Sequence, residues 1–151
     1  MIEDFTLRGI DDLKNRIVRT PLAALETFRE DPLRILRTIR FATRYCCEID
    51  PPILEATHEP DIESALSRKV SRERVGVEIL KMAQCTYFTR ALQLLEDMNV
   101  LNCVFNIEAD NTVFLKTQKN RSIEEFEKTL FLIELPKEER ERIELLIGSC
   151  K

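Results

Sequence analysis

The stretch Glu30-Asp31-Pro32-Leu33-Arg34-Ile35-Leu36-Arg37-Thr38-Ile39-Arg40-Phe41-Ala42-Thr43-Arg44-Tyr45 decides the fold class of this chain. Leu33, Ile35, Leu36, Ile39 and Ala42 recur at helical spacing and supply one buried side. The pattern predicts a helix over about residues 30–45. Its start is marked twice. Thr27-x-x-Glu30 fits a capping box, and Asp31-Pro32 fits an N-cap followed by proline at the first helical position. The two signals lie a few residues apart, and spacing does not choose between them. Downstream, Pro51-Pro52 stops the helix. Short helices are expected over about residues 52–57 and 61–66. Ser71 then caps a helix to about residue 84, with Val75, Ile79 and Met82 inward. Thr86 can cap the next, over about residues 87–98, with Ala91, Leu92, Leu94 and Leu95 as its apolar positions, and a short apolar turn follows at 101–105. Residues 108–121 are polar and aperiodic and read as a linker. Ser122-x-x-Glu125 opens a helix to about residue 135, and a last one spans about 137–147 up to Gly148. Residues 1–20 read as a loop with a short strand or a first helical turn. No repeat and no alternating strand pattern is visible, so the fold class is all-α.

A length of 151 residues allows one domain or two small helical lobes sharing a core. Hydrophobic residues at 44% beside charged residues at 33% exclude global disorder, and 3 Gly with 6 Pro argue against a turn-rich β-sandwich. Five scattered cysteines read as thiols of a reducing compartment, not as a disulfide framework or zinc site. The single histidine, His58, lies in the polar run Thr57-His58-Glu59-Pro60 and reads as a surface loop residue. Histidine-based metal sites and Ser-His-Asp chemistry have almost nothing to work with. No apolar run approaches the roughly 18 residues of a membrane span, and no signal peptide opens the chain. The expected location is cytoplasmic, with a nuclear or mitochondrial pool compatible, and no membrane partner.

The net charge of −4 hides an asymmetry. Residues 91–151 hold 12 acids and 8 bases, whereas residues 1–90 are neutral. Between Arg16 and Arg44 stand seven arginines and no lysine. Guanidinium is a planar fork suited to phosphates and base edges. A solvated helix face with intrahelical ion pairs is the plain alternative. On the predicted helix, Asp31 and Arg34 would lie about 60° apart on one face, continued by Arg37 and Arg44. An acceptor beside a donor fork complements cytosine, where an amino group adjoins N3, and adenine, where one adjoins N1. Guanine and uracil present a carbonyl in that place, and the mismatch costs about 1–3 kcal/mol. An Asp-x-x-Arg at a helix start is also common for capping alone.

The wider wording narrows the choice. Arg19-Thr20-Pro21-Leu22, Glu26-Thr27-Phe28, Glu30 to Arg37 and Ile39-Arg40-Phe41-Ala42 resemble the neck of class II tRNA nucleotidyltransferases, the CCA-adding enzymes. Glu3-Asp4-Phe5-Thr6, Gly9, Asp12-Leu13 and Ile17-Val18-Arg19 look like the family's motif C, between head and neck. Glu30, Asp31 and Arg34 match its motif D, and Ser71-Arg72-Glu73-Arg74-Val75-Gly76-Val77-Glu78 matches its motif E. Asp31-Pro32-Leu33-Arg34 reads nearest to eukaryotic members. Beyond about residue 105 the resemblance fades to a generic helical body.

The resemblance implies a connecting segment at 1–20, nucleotide-selecting neck helices at 21–84 and a helical body at 85–151. It implies addition of C, C and A to tRNA 3′ ends from CTP and ATP, without a nucleic-acid template. Asp31 and Arg34 would read the incoming base, with Glu30 and Arg37 in support. Arg19 would help couple head to neck, and Ser71, Glu73 and Arg74 would brace the neck helices, Glu73 through a buried pairing with an arginine. A bacterial-type poly(A) polymerase shares motif D, and a noncatalytic helical module docking RNA or protein is the reading from another class. In the full enzyme, Mg²⁺ would be held by head carboxylates of a D-x-D motif. The sequence holds no D-x-D and no G-x-x-x-x-G-K. Glu48-Ile49-Asp50 and Glu108-Ala109-Asp110 lack a Gly-rich loop before them, so no catalytic or metal-binding residue is expected here. Transfer would need a head that is missing or supplied by a separate chain. Without it, apolar surface is expected around Ile17, Val18, Leu22 and Leu25.

Overall fold

The structure is a computed structural model that describes residues 3–105. In chain order the elements are α1 (Gly9–Asn15), β1 (Ile17–Val18), α2 (Ala24–Glu30), α3 (Leu33–Tyr45), β2 (Glu48–Ile49), α4 (Pro51–Thr57), α5 (Pro60–Lys69), α6 (Arg72–Ala83), α7 (Phe88–Asp97) and α8 (Leu101–Phe105). The described residues are all-α, apart from one parallel pairing of two residues each, Ile17 with Glu48 and Val18 with Ile49. The linker and helices expected beyond residue 105 lie outside the described residues.

Helix α3 is the axis of the fold. Its Leu33, Ile35, Leu36, Ile39 and Ala42 are all buried, as the periodicity predicts. It packs on α6, α7 and α2, meeting Val75, Ile79 and Met82 of the core, all buried as expected. Of the apolar positions of α7, Ala91 and Leu95 are buried, and Leu92 and Leu94 are partly so. Cys46 ends α3 in the left-handed conformation, φ 52°.

Two boundary readings are corrected. The helix expected over residues 30–45 is α3, which starts at the Asp31-Pro32 signal, and residues 24–30 form a separate helix, α2, that ends at Asp31. Asp31 has extended backbone, φ −138° and ψ 95°. The cause is Pro32, whose ring disfavours helical geometry in the residue before it. The Thr27 capping box is not used, because Thr27 lies inside α2 and its N–H donates to the Ala23 carbonyl at 3.0 Å. Thr86 does not cap α7, whose N-cap position is Tyr87, without a side-chain cap bond.

Ser71 does cap α6, its Oγ accepting from the Arg74 N–H at 3.4 Å. Ser71→Ala is expected to lower the unfolding free energy by about 1 kcal/mol in urea titrations, with Ser71→Asp retaining it. On the far side, Arg29 donates to Asp61 at 2.7 and 3.2 Å, stitching α2 to α5. The guanidinium holds the Asp61 carboxyl below its usual value. Both groups are half exposed, so the pair adds little stability.

Arg19 fastens the N-terminal segment. It donates to Asp50 at 2.9 Å and to Asp12 at 2.6 Å, tying α1 to the start of α4. The bond to Asp50 holds the Arg19 guanidinium above its ordinary pKa. The exposed apolar surface differs from expectation. Leu22 is exposed, but Leu25 packs on the core, and Ile17 and Val18 are half-buried in the strand pair. Other open apolar side chains include Phe5, Leu7 and Leu13, and Phe41 and Tyr45 of α3. Leu13, Phe41 and Tyr45 share with Ile17 a groove of about 380 Å³. Among the described residues no helix is long and apolar enough to cross a membrane.

Candidate functional site

The α2–α3 break places Asp31 at the surface, opposite the first turn of α6. One carboxylate oxygen, Oδ1, accepts the Leu33 N–H at 3.2 Å, and the Asp31 carbonyl accepts the Arg34 N–H at 3.1 Å. The residue therefore caps α3. The other oxygen, Oδ2, lies 3.6 Å from Nη2 of Arg74 on α6. Asp31 thus does not share a helix face with Arg34, because it is not helical. Arg34 turns to Glu30, donating to Oε2 at 2.7 Å, and reaches the Thr27 carbonyl at 3.5 Å. No ion pair joins Asp31 to Arg34. The structure brings Glu30 to Arg34 and Arg74 to Asp31.

One turn along the α3–α6 seam lies a buried carboxylate. Glu78 is 3% exposed and accepts from Nε of Arg40 at 2.7 Å. Arg37 lies 3.6 Å and Lys81 3.8 Å from its other oxygen. Such a charge is tolerated inside only because it is paired. Glu73, for which a buried partner was expected, is exposed instead. The sequence signal for Glu78 is its place among Val75, Ile79 and Met82, a charged residue on an apolar helix face. Arg72 was likewise unforeseen. It donates to the carbonyls of Cys103 and Val104 at 3.1 and 2.6 Å, joining α6 to α8.

Further along α3, Arg40 lies 4.3 Å over the Phe41 ring and Arg44 5.6 Å over that of Tyr45. The two rings stack at 6.1 Å. His58, at the end of α4, is exposed and bonded to the Leu54 carbonyl at 2.7 Å, in keeping with a surface role. Cys46, Cys47, Cys85 and Cys103 are free thiols. Burial raises the pKa of Cys85 and of Cys103, which disfavours the reactive thiolate. Among the described residues no group of three or more His, Cys, Asp or Glu could hold a metal ion, and Asp50 is engaged by Arg19. The residues described do not form a Mg²⁺ site.

The fold is similar to one already solved. A solved structure described as a tRNA-processing enzyme matches 95% of this chain and 48% of its own, with a TM-score of 0.58 at 20% identity. The sequence is more specific. The chain is 44% identical over 119 residues to the mitochondrial CCA tRNA nucleotidyltransferase of Saccharomyces cerevisiae. It is 47% identical over 105 residues to tRNA nucleotidyltransferase cca2 of Schizosaccharomyces pombe. A CCA-adding enzyme of Oceanobacillus iheyensis is 35% identical over 92 residues. These matches take in 79%, 70% and 61% of this chain, yet the chain spans only 22% of each relative. No family model matches. The matched stretch belongs with the tRNA nucleotidyltransferases, as the three ordered motifs imply.

Proposed function

We propose that this chain supplies the nucleotide-selecting and tRNA-contacting helices of a CCA-adding tRNA nucleotidyltransferase. Residues 1–20 would connect to a catalytic head, 21–84 would form the selecting neck and 85–151 the body. CTP and ATP are the nucleotides, the tRNA 3′ end is the acceptor, and Mg²⁺ is held outside this chain. The observation that carries the reading is the placement of Asp31. Its carboxylate is part-buried and not neutralised by a close hydrogen-bonded ion pair, and the Arg74 guanidinium of α6 lies 3.6 Å from it. An ionised carboxylate accepts the amino group of cytosine or adenine and repels the carbonyl of uracil or guanine. Arg34 supplies the donor for N3 or N1 once it turns from Glu30, an exposed partner it can leave at small cost.

Two measurements test this. The 151-residue chain alone is expected to incorporate no labelled CTP into tRNA lacking its CCA end, and any incorporation overturns that expectation. Complemented with the catalytic head of a relative, it is expected to favour CTP and ATP over UTP and GTP. Asp31→Ala should then erase the preference. Unchanged discrimination in that variant would remove base selection and favour a scaffold role.

A further inference from the structure

We infer that the outward face of α3 around Phe41 and Tyr45 is a stacking platform for an unpaired RNA strand, the 3′ end of the acceptor, with Arg44 holding a phosphate of that strand. The inference rests on the role proposed for this chain in adding nucleotides to tRNA 3′ ends. Phe41 and Tyr45 are 40% and 54% exposed, so both rings are open to a ligand. They lie four residues apart and are neighbours on one face of the helix. Their planes are 13° from parallel, with centroids 6.1 Å apart. The inner cation is fixed, because Arg40, 4.3 Å over Phe41, is bonded to the buried Glu78. The outer cation is not held in this way. Arg44 is exposed, lies 5.6 Å over Tyr45, and meets no carboxylate among the described residues. It can turn to a phosphate and leave the ring to a base.

The charge around the rings suits a polyanion. The groove that they line with Leu13 and Ile17 has one acid on its wall, Asp12, and Arg19 neutralises it at 2.6 Å. Arg8, on the same wall, donates to the Thr20 carbonyl at 3.0 Å and keeps its charge. Flat apolar rings beside uncompensated guanidinium groups match the bases and phosphates of a single strand. The placement fits as well. Arg34, Phe41 and Tyr45 fall within about 40° of one another around α3, and Arg34 lies about 10 Å from Phe41 along it. That length holds about three nucleotides of a stacked strand. A strand whose next nucleotide is read at Arg34 therefore has room to lay its last bases over the rings. A strand extended without a template is unpaired, so the faces of its bases are open to stacking.

The test titrates the full chain into a short fluorescent single-stranded RNA ending in cytidine, and into a blunt RNA duplex, and reads anisotropy. Tyr45→Leu should raise the Kd for the single strand at least about fivefold, the lower end for losing one base–aromatic stack. The duplex Kd should stay within about twofold of wild type. Tyr45→Phe should keep the wild-type affinity, because the ring and not the hydroxyl is used. Arg44→Gln should weaken the single strand and reduce the slope of log Kd against log salt by about 0.7, the share of one phosphate contact. No binding of the single strand by wild type, an unchanged Kd in Tyr45→Leu, or an equal loss for strand and duplex would overturn the inference and leave this face to a protein partner. The proposed base selection fails separately. A complemented enzyme indifferent to the nucleotide, beside RNA binding that needs Tyr45, would remove selection and keep the platform. Selection retained beside RNA binding that ignores Tyr45 would do the reverse.

Discussion

Glu78→Ala is expected to lower the unfolding free energy of the chain by about 3 kcal/mol, near the lower bound for breaking a buried charge pair. Glu78 is 3% exposed, and the guanidinium it pairs with most closely, Arg40, is 13% exposed on its side chain. Removing the carboxylate strands Arg40 in a largely dry seam between α3 and α6. Arg37 and Lys81 are each about half exposed and can turn to water, which keeps the loss at the low end. For a chain of this length the melting temperature should fall by about 6–12 °C. The double variant Glu78→Leu with Arg40→Met should recover most of the loss, since apolar residues of similar size replace a buried ion pair without penalty. Thermal melts that leave Glu78→Ala within about 2 °C of wild type would show that the cluster contributes no net stability.

Phe28→Ala should cost a similar or larger amount, about 3–5 kcal/mol, through lost burial and the cavity left behind. Phe28 has no exposed surface, and it anchors the seven-residue α2 against α4, α3 and α5. So short a helix has little stability of its own and depends on this packing. Glu30 and Asp31 stand at its C-terminal end. Loosening α2 should therefore also reduce base preference in the complemented enzyme. Phe105→Ala, at a buried position on α8, should cost comparable stability and leave the preference intact, because α8 packs on α5 and α7. Urea titrations give the first quantity and competitive incorporation the second. Equal effects of both variants on preference would show that α2 does not position the site.

Much of the helical layout is legible in the amino-acid order because helical periodicity is local. Leu33, Leu36 and Ile39, or Val75, Ile79 and Met82, declare their buried faces within two or three turns. Asp31-Pro32 marks the start of α3 as its sequence signal predicts, and the restriction that Pro32 places on Asp31 also ends the helix before it. Helix α2 escaped notice because seven residues, ending in Arg29-Glu30, show a buried side only once Thr27 and Phe28 meet their neighbours. The pairing of Ile17 with Glu48 left no pattern, because two-residue strands offer no alternation to detect.

The order of the motifs, the helix spans and the inward apolar positions follow from neighbours a few residues apart, and the sequence by itself determines them. Which charge meets which does not follow. Arg40 finds Glu78 across a separation of 38 residues, and Asp31 finds Arg74 instead of Arg34. Those choices depend on how α3 lies against α6 and on the extended backbone imposed before Pro32. Ionic contacts fall off over a few ångströms, so only the tertiary arrangement decides them.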